Sequence, residues 1–218
     1  MPRRTEDTAK RPGSGRDGPA PTGLARVRSI LLTVLGVEVT ILVVTGIALF
    51  FVYRPTAFEA WGDIATRTDD WGVRLAVGIR LLHLLASRLA VPTAIAAGLL
   101  VAVGGRAGLR RGAATDAALG VGLAATTLAA SFTGFLLPWD NLALWAVKVG
   151  TSLTGYRAIF GPDVRFVLIG GVEITTANLI RWLLIHMLVL GPALGGLIVL
   201  AWRRHRPAGR RRASPEAG

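Results

Sequence analysis

AALGVGLAATTLAASFTGFLL, from Ala117 to Leu137, runs for 21 residues without an Asp, Glu, Lys or Arg, and WLLIHMLVLGPALGGLIVLAW, from Trp182 to Trp202, does the same. At about 1.5 Å per residue, either run as a helix crosses a hydrocarbon core roughly 30 Å thick. Two further runs, about Ser29 to Tyr53 and about Leu75 to Val103, are as long, although they carry Glu38, Arg80 and Arg88. None shows the alternation of a barrel strand, and an open sheet could not satisfy its edges in lipid. The expected fold is all-α: an integral membrane four-helix bundle of spans A, B, C and D, with short surface helices in the outer loop between the third and fourth spans.

Most of the 218 residues lie in or between these runs, which leaves no room for a soluble catalytic domain. Hydrophobic residues make up 52% of the chain, beside a net charge of +12. Such a charge can signal nucleic acid, but its placement points to the lipid bilayer. Residues 1–28 hold seven Lys or Arg, the B–C connection holds Arg106, Arg110 and Arg111, and the tail after Trp202 holds six Arg. Four antiparallel crossings put these three segments on one side, and the positive-inside rule makes that side the cytoplasm. A multi-pass protein of the cell membrane with both termini cytoplasmic is expected, and no nucleic-acid partner.

Residues 1–28 are expected to be a disordered basic arm, 29–204 the transmembrane domain, and 205–218 a disordered basic tail. Span A starts too far along the chain, and is too long, for an ordinary cleaved signal. Cysteine is absent, which excludes disulfides, thiolate metal sites and thioether-attached haem. There is no Walker loop, Gly-x-Gly-x-x-Gly turn or plausible Ser/His/Asp arrangement.

His83 and His186 carry the chemistry. A histidine in a span can be a packing residue, a transport-pathway group or a ligand. Topology favours the last, because spans B and D both run inward and each histidine lies roughly two turns from the outer end. Two imidazoles at one depth can approach a flat macrocycle from opposite faces, with Gly46 and Gly134 on A and C letting its edge come close. Packing of small residues between helices is the competing reading of both glycines.

The surrounding motifs are specific in their order. Thr45-Gly46-Ile47 is followed by Tyr53-Arg54-Pro55-Thr56 and Glu59-Ala60; Trp71-Gly72 precedes Arg80-Leu81-Leu82-His83 and Ala86-Ser87. After span C come Thr133-Gly134-Phe135-Leu136-Leu137-Pro138-Trp139-Asp140 and Trp145-Ala146-Val147-Lys148, then Gly170-Gly171, Leu179-Ile180-Arg181 and His186. From about Leu31 to Arg204 the chain resembles the haem-carrying N-terminal half of the cytochrome b family, most closely its separate four-helix form, cytochrome b6. The resemblance implies that His83 and His186 are axial ligands of the outer, low-potential haem. It further implies that Arg80 meets a haem propionate and that Gly46 and Gly134 lie against the ring. Arg80 could equally snorkel to the interface. Pro138, Trp139 and Asp140 could form one wall of a quinol site, or simply stop a helix ahead of an interfacial one.

The departures matter as much. The family's second histidine pair falls here on Ala97 and on Leu200 or Ala201, and the glycine expected fourteen residues before Gly46 is Leu32. His205 lies in the Arg-rich tail. The expectation is one haem b, non-covalent and bis-histidine, in an electron-transfer subunit facing quinol, a Rieske-like or c-type protein, or an extracytoplasmic oxidoreductase. A haem-free scaffold or small transporter is the alternative class. Glu38 and Arg88, at similar depth on A and B, are expected to pair across the region of the missing inner haem.

Overall fold

The computed structural model describes residues 23–65, 71–104, 112–152 and 175–205. It is all-helical among those residues, with no strand. Span A is α1 (Gly23–Phe50), which begins within the segment assigned above to the arm. A short α2 (Ala60–Ala65) precedes span B, α3 (Trp71–Gly104), and span C is α4 (Ala113–Leu136). The surface helix expected after span C is α5 (Asn141–Ser152), whereas the rest of the loop to residue 174 lies outside the described residues. Span D is built from α6 (Thr176–Leu184), one wide π turn (Ile185–Leu190) and α7 (Gly191–His205). All four spans are long and apolar enough to cross a membrane.

The bundle is a ring in which α1 packs on α3 and α7, and α4 packs on the same two. Spans B and D are therefore diagonal partners that run the same way and face each other across the centre. Large apolar side chains such as Val44, Leu85, Leu99, Val121 and Leu188 are exposed on the outside, as a lipid-facing surface requires.

Packing divides the bundle into layers. The half nearer the chain termini holds a continuous core in which Leu32, Leu35, Ala94, Ala97, Val101, Leu123, Ile198 and Ala201 are buried. Within it, α3 and α4 meet backbone to backbone: a Cβ placed on Gly98 would lie 2.5 Å from the Gly120 carbonyl oxygen. At the opposite end Leu136, Ala143, Val147, Leu179 and Trp182 form a second cluster, where α5 caps the bundle. Ala97, Ala201 and Leu32 are thus part of this packed core, whereas Leu200, the other span-D position considered above, is exposed.

The expected Glu38–Arg88 pair is not formed. Glu38 Oε1 accepts a hydrogen bond from Thr93 Oγ1 at 3.2 Å, and Arg88 is exposed. The reason is rotational. The buried seam of α3 runs through Ala86, Ala90, Ala94, Ala97 and Val101, and Arg88 sits two residues from Ala86, about 200° around the helix. Matched depth is not enough when one side chain leaves from the far face.

Candidate functional site

Between the two packed clusters lies a layer built of histidine, threonine, glycine and alanine. α3 brings His83 into it one turn inward of Arg80. Span D brings in His186 on the π turn, where the Gly191 N–H donates to the His186 carbonyl five residues back. This widening falls directly before Pro192, which has no N–H to give and whose ring clashes with the carbonyl four residues earlier. Such wide turns inside helices are frequent at functional sites because they redirect one side chain without breaking the helix.

The two imidazoles face each other with ring centroids 6.4 Å apart and planes at 55°. A metal bound by two imidazole nitrogens at about 2.0 Å, each ring centre lying roughly 1.1 Å beyond its nitrogen, requires a separation of about 6.2 Å. The observed spacing therefore admits one metal ion between the rings.

Hydrogen bonding selects the nitrogen that would face it. His83 Nδ1 lies 2.8 Å from Thr45 Oγ1, and His186 Nδ1 lies 3.0 Å from Thr133 Oγ1. Each hydroxyl donates its single proton to a carbonyl of its own helix, Thr45 to Ile41 at 2.7 Å and Thr133 to Ala129 at 3.0 Å. A hydroxyl committed in this way can only accept from the ring, so the network assigns the proton to Nδ1 on both histidines. Each Nε2 then carries a free lone pair, the form in which imidazole binds metal.

Glycine completes the arrangement. A Cβ on Gly134 would stand 2.9 Å from His186 Cε1, and one on Gly46 would stand 3.3 Å from His83 Cε1. The two glycines lie against the rings themselves, so Thr-Gly acts as a unit in which the hydroxyl orients the imidazole and the missing side chain admits it. Thr45 and Thr133 escaped assignment from sequence. Thr-Gly also occurs at 22–23 and 154–155, so the dipeptide alone is no signal; what marks 45–46 and 133–134 is that each lies on a span and faces a histidine on another.

At the mouth of the layer Arg80 holds its guanidinium over the Trp61 ring of α2, 5.5 Å from the centroid. Pro138 and Asp140 do what a helix stop and cap do, since α4 ends at Leu136 and Asp140 Oδ1 accepts from the Ala143 N–H at 2.8 Å. Trp139 adopts φ 49°, an uncommon state for a bulky residue, and its ring packs on Trp182 at 5.9 Å. Tyr53 ties the A–B connection to this corner by donating to the Leu137 carbonyl at 2.5 Å. Burial, and secondarily the charge of Asp63, raises the Tyr53 pKa, which keeps the phenol a proton donor.

Two neutral imidazoles alone make a poor metal centre, and among the described residues no three His, Asp or Glu side chains converge on one point. The donor set fits a metal whose other positions are filled by its own macrocycle, as in a six-coordinate haem with two axial nitrogens. His83 and His186 could hold such a group, with Thr45 and Thr133 orienting them.

The family described as Cytochrome b/b6/petB matches residues 20–202. The chain is 33% identical to cytochrome b6 of Tupiella akineta over 159 residues, covering 73% of this chain and 72% of that one. It is 29% identical to cytochrome b6 of Heliomicrobium gestii over 157 residues, covering 72% and 71%. Against cytochrome b6 of Mesostigma viride it is 32% identical over 159 residues, covering 73% and 72%.

Proposed function

The chain belongs to the cytochrome b/b6 family, and from that membership we propose that it is a single-haem electron-transfer subunit, with His83 and His186 as the axial ligands. A haem bound there supplies reversible one-electron chemistry, and with both axial positions taken by protein it leaves no open site for dioxygen. The residues of the chain hold and orient. Thr45 and Thr133 orient the imidazoles, Gly46 and Gly134 admit the rings, and Arg80 would supply a cation to a haem propionate. The observation that carries this reading is the facing pair of imidazoles at 6.4 Å, both with Nδ1 engaged.

The packing of the other half of the bundle supports a single haem. Ala97 and Ala201 cannot ligate iron, Leu32 occupies core, and the backbones of α3 and α4 touch at Gly98 and Gly120. The arginine-rich end faces the cytoplasm, which sets the histidine layer toward the outer side. Its partner there is quinol or an extracytoplasmic redox protein, such as a Rieske-like or c-type subunit.

A pyridine haemochrome assay on purified protein tests the reading, with one non-covalent haem per chain as the expected result. Two haems would overturn the argument from the packed half, and none after expression with ample haem would favour a scaffold that keeps only the fold. In oriented vesicles, a membrane-impermeant reductant should reach the haem from the side opposite the termini.

A further inference from the structure

The end of the bundle that carries the termini holds a charge cluster that plays no part in the histidine site. Asp116 on α4 is buried and accepts a hydrogen bond from Arg204 Nε on α7. Arg204 also donates from Nη2 to the Gly112 carbonyl at 3.0 Å, and His205 Nε2 lies 3.5 Å from Asp116 Oδ1. Arg28 of α1 packs over Gly104 of α3, and its Nε is buried without a hydrogen-bond partner among the described residues. Arg203 is exposed beside Arg204. Arg28 and Arg204 lie near the one carboxylate and Arg203 adds a third guanidinium at the same end of the bundle, which leaves a surplus of positive charge at the membrane boundary.

A cleft between α4 and α7 opens beside this cluster, lined by Thr115, Leu119, Leu200, Arg203 and Arg204. Its lining is layered by depth. On α4, Thr115 stands one turn nearer the end than Leu119; on α7, Arg203 and Arg204 stand one turn nearer the end than Leu200. Hydroxyl and guanidinium donors therefore sit at headgroup level, with an apolar floor one turn, about 5.4 Å, deeper. Arginine offers paired donors that match the oxygens of a phosphate, and basic pockets between spans suit anionic lipid head groups.

We propose that this cleft binds an anionic phospholipid, with its phosphate on Arg203, Arg204 and Thr115 and its upper acyl chain along Leu119 and Leu200. The lipid phosphate neutralises the surplus charge that Asp116 alone leaves, and it joins the ends of spans C and D.

Native mass spectrometry of the full-length protein, equilibrated in detergent with equal phosphatidylglycerol and phosphatidylcholine, tests the site. The wild type should retain phosphatidylglycerol in clear preference. Arg203→Gln should cut that preference about five-fold, the worth of one arginine near an anionic lipid. Thr115→Val should lower it in the same direction, with melting temperature as the check on folding, while leaving the Asp116–Arg204 pair intact. Arg26→Gln removes an exposed charge at the same end but outside the cleft, and should leave retention unchanged. Equal retention of the two lipids would overturn the proposal outright, and equal loss from Arg26→Gln and Arg203→Gln would overturn it in favour of bulk attraction. Displacement of the lipid by millimolar inorganic phosphate would overturn it in favour of a free-phosphate site.

Discussion

Glycine does opposite work in the two halves of this bundle. Near the termini, Gly98 and Gly120 let two helix backbones touch, and the space between the spans is closed. In the histidine half, Gly46 and Gly134 let an imidazole approach the backbone instead, and the spans stay far enough apart for two rings to face each other at 6.4 Å. The difference lies in the neighbours. Gly98 faces another glycine, whereas Gly46 and Gly134 each face a histidine anchored by the threonine just before them. A small residue in a span thus has no fixed meaning until the residue across from it is known.

That contrast breaks most visibly if the histidines are not the ligands. His83→Ala and His186→Ala should each abolish the low-spin haem spectrum, whereas His205→Ala should leave it intact. A normal spectrum from either span variant would remove the histidine layer from the comparison.

The threonines sharpen it. Thr45→Val and Thr133→Val keep the shape of the side chain but take away the acceptor for Nδ1–H. Loss of such an orienting partner typically weakens metal affinity about 10–100-fold, so haem should transfer faster to an acceptor protein from either variant. Unchanged transfer rates would make the hydrogen bonds incidental.

In the closed half, the effect should fall on stability and spare the haem. A Cβ on Gly120 would stand 2.3 Å from the Gly98 carbonyl oxygen, so Gly120→Val should cost about 1–3 kcal/mol by overpacking, with an unchanged spectrum in the surviving fold. Loss of haem at wild-type stability would show that the two halves are not independent.

The smallest effect belongs to the connection that closes the histidine end. Arg54 pairs with Glu59 and Asp63, each at 2.5 Å, and its hydrogen bonds hold the Asp63 pKa below its ordinary value. A depressed carboxylate contributes stability above its unfolded pKa, near 3.9, and loses it as pH falls through the lower folded value. Thermal melts should therefore show a slight acid loss below about pH 4 in the wild type, and Asp63→Asn should be lower at neutral pH with that acid step reduced.

The four spans were legible because length and the absence of charge suffice to define a crossing, and the order of motifs located both histidines. What escaped depended on rotation about a helix axis or on contacts across spans. Glu38 and Arg88 lie at similar depth, yet α3 turns Arg88 away from the seam and gives Thr93 to Glu38. The π turn at His186 is a register change that no composition announces, and Pro192 was its one local sign. α2 was missed for the opposite reason: six residues are too few for periodicity to show. His205 was assigned to the disordered tail, but α7 runs on to it and sets it beside Asp116.

The meeting of Gly98 and Gly120 also bears on redesign. Histidines introduced at Ala97 and Ala201 would supply donors without room, since both positions are fully buried in packed core and Gly98, beside Ala97, is already in backbone contact with Gly120 of α4. A designer wanting a redox centre in this half would first have to part the spans that share its core, and every intermediate along that path would expose packed side chains before any metal could reward it. Two substitutions suffice to supply a histidine pair, but they do not open the packed core that a macrocycle would have to enter.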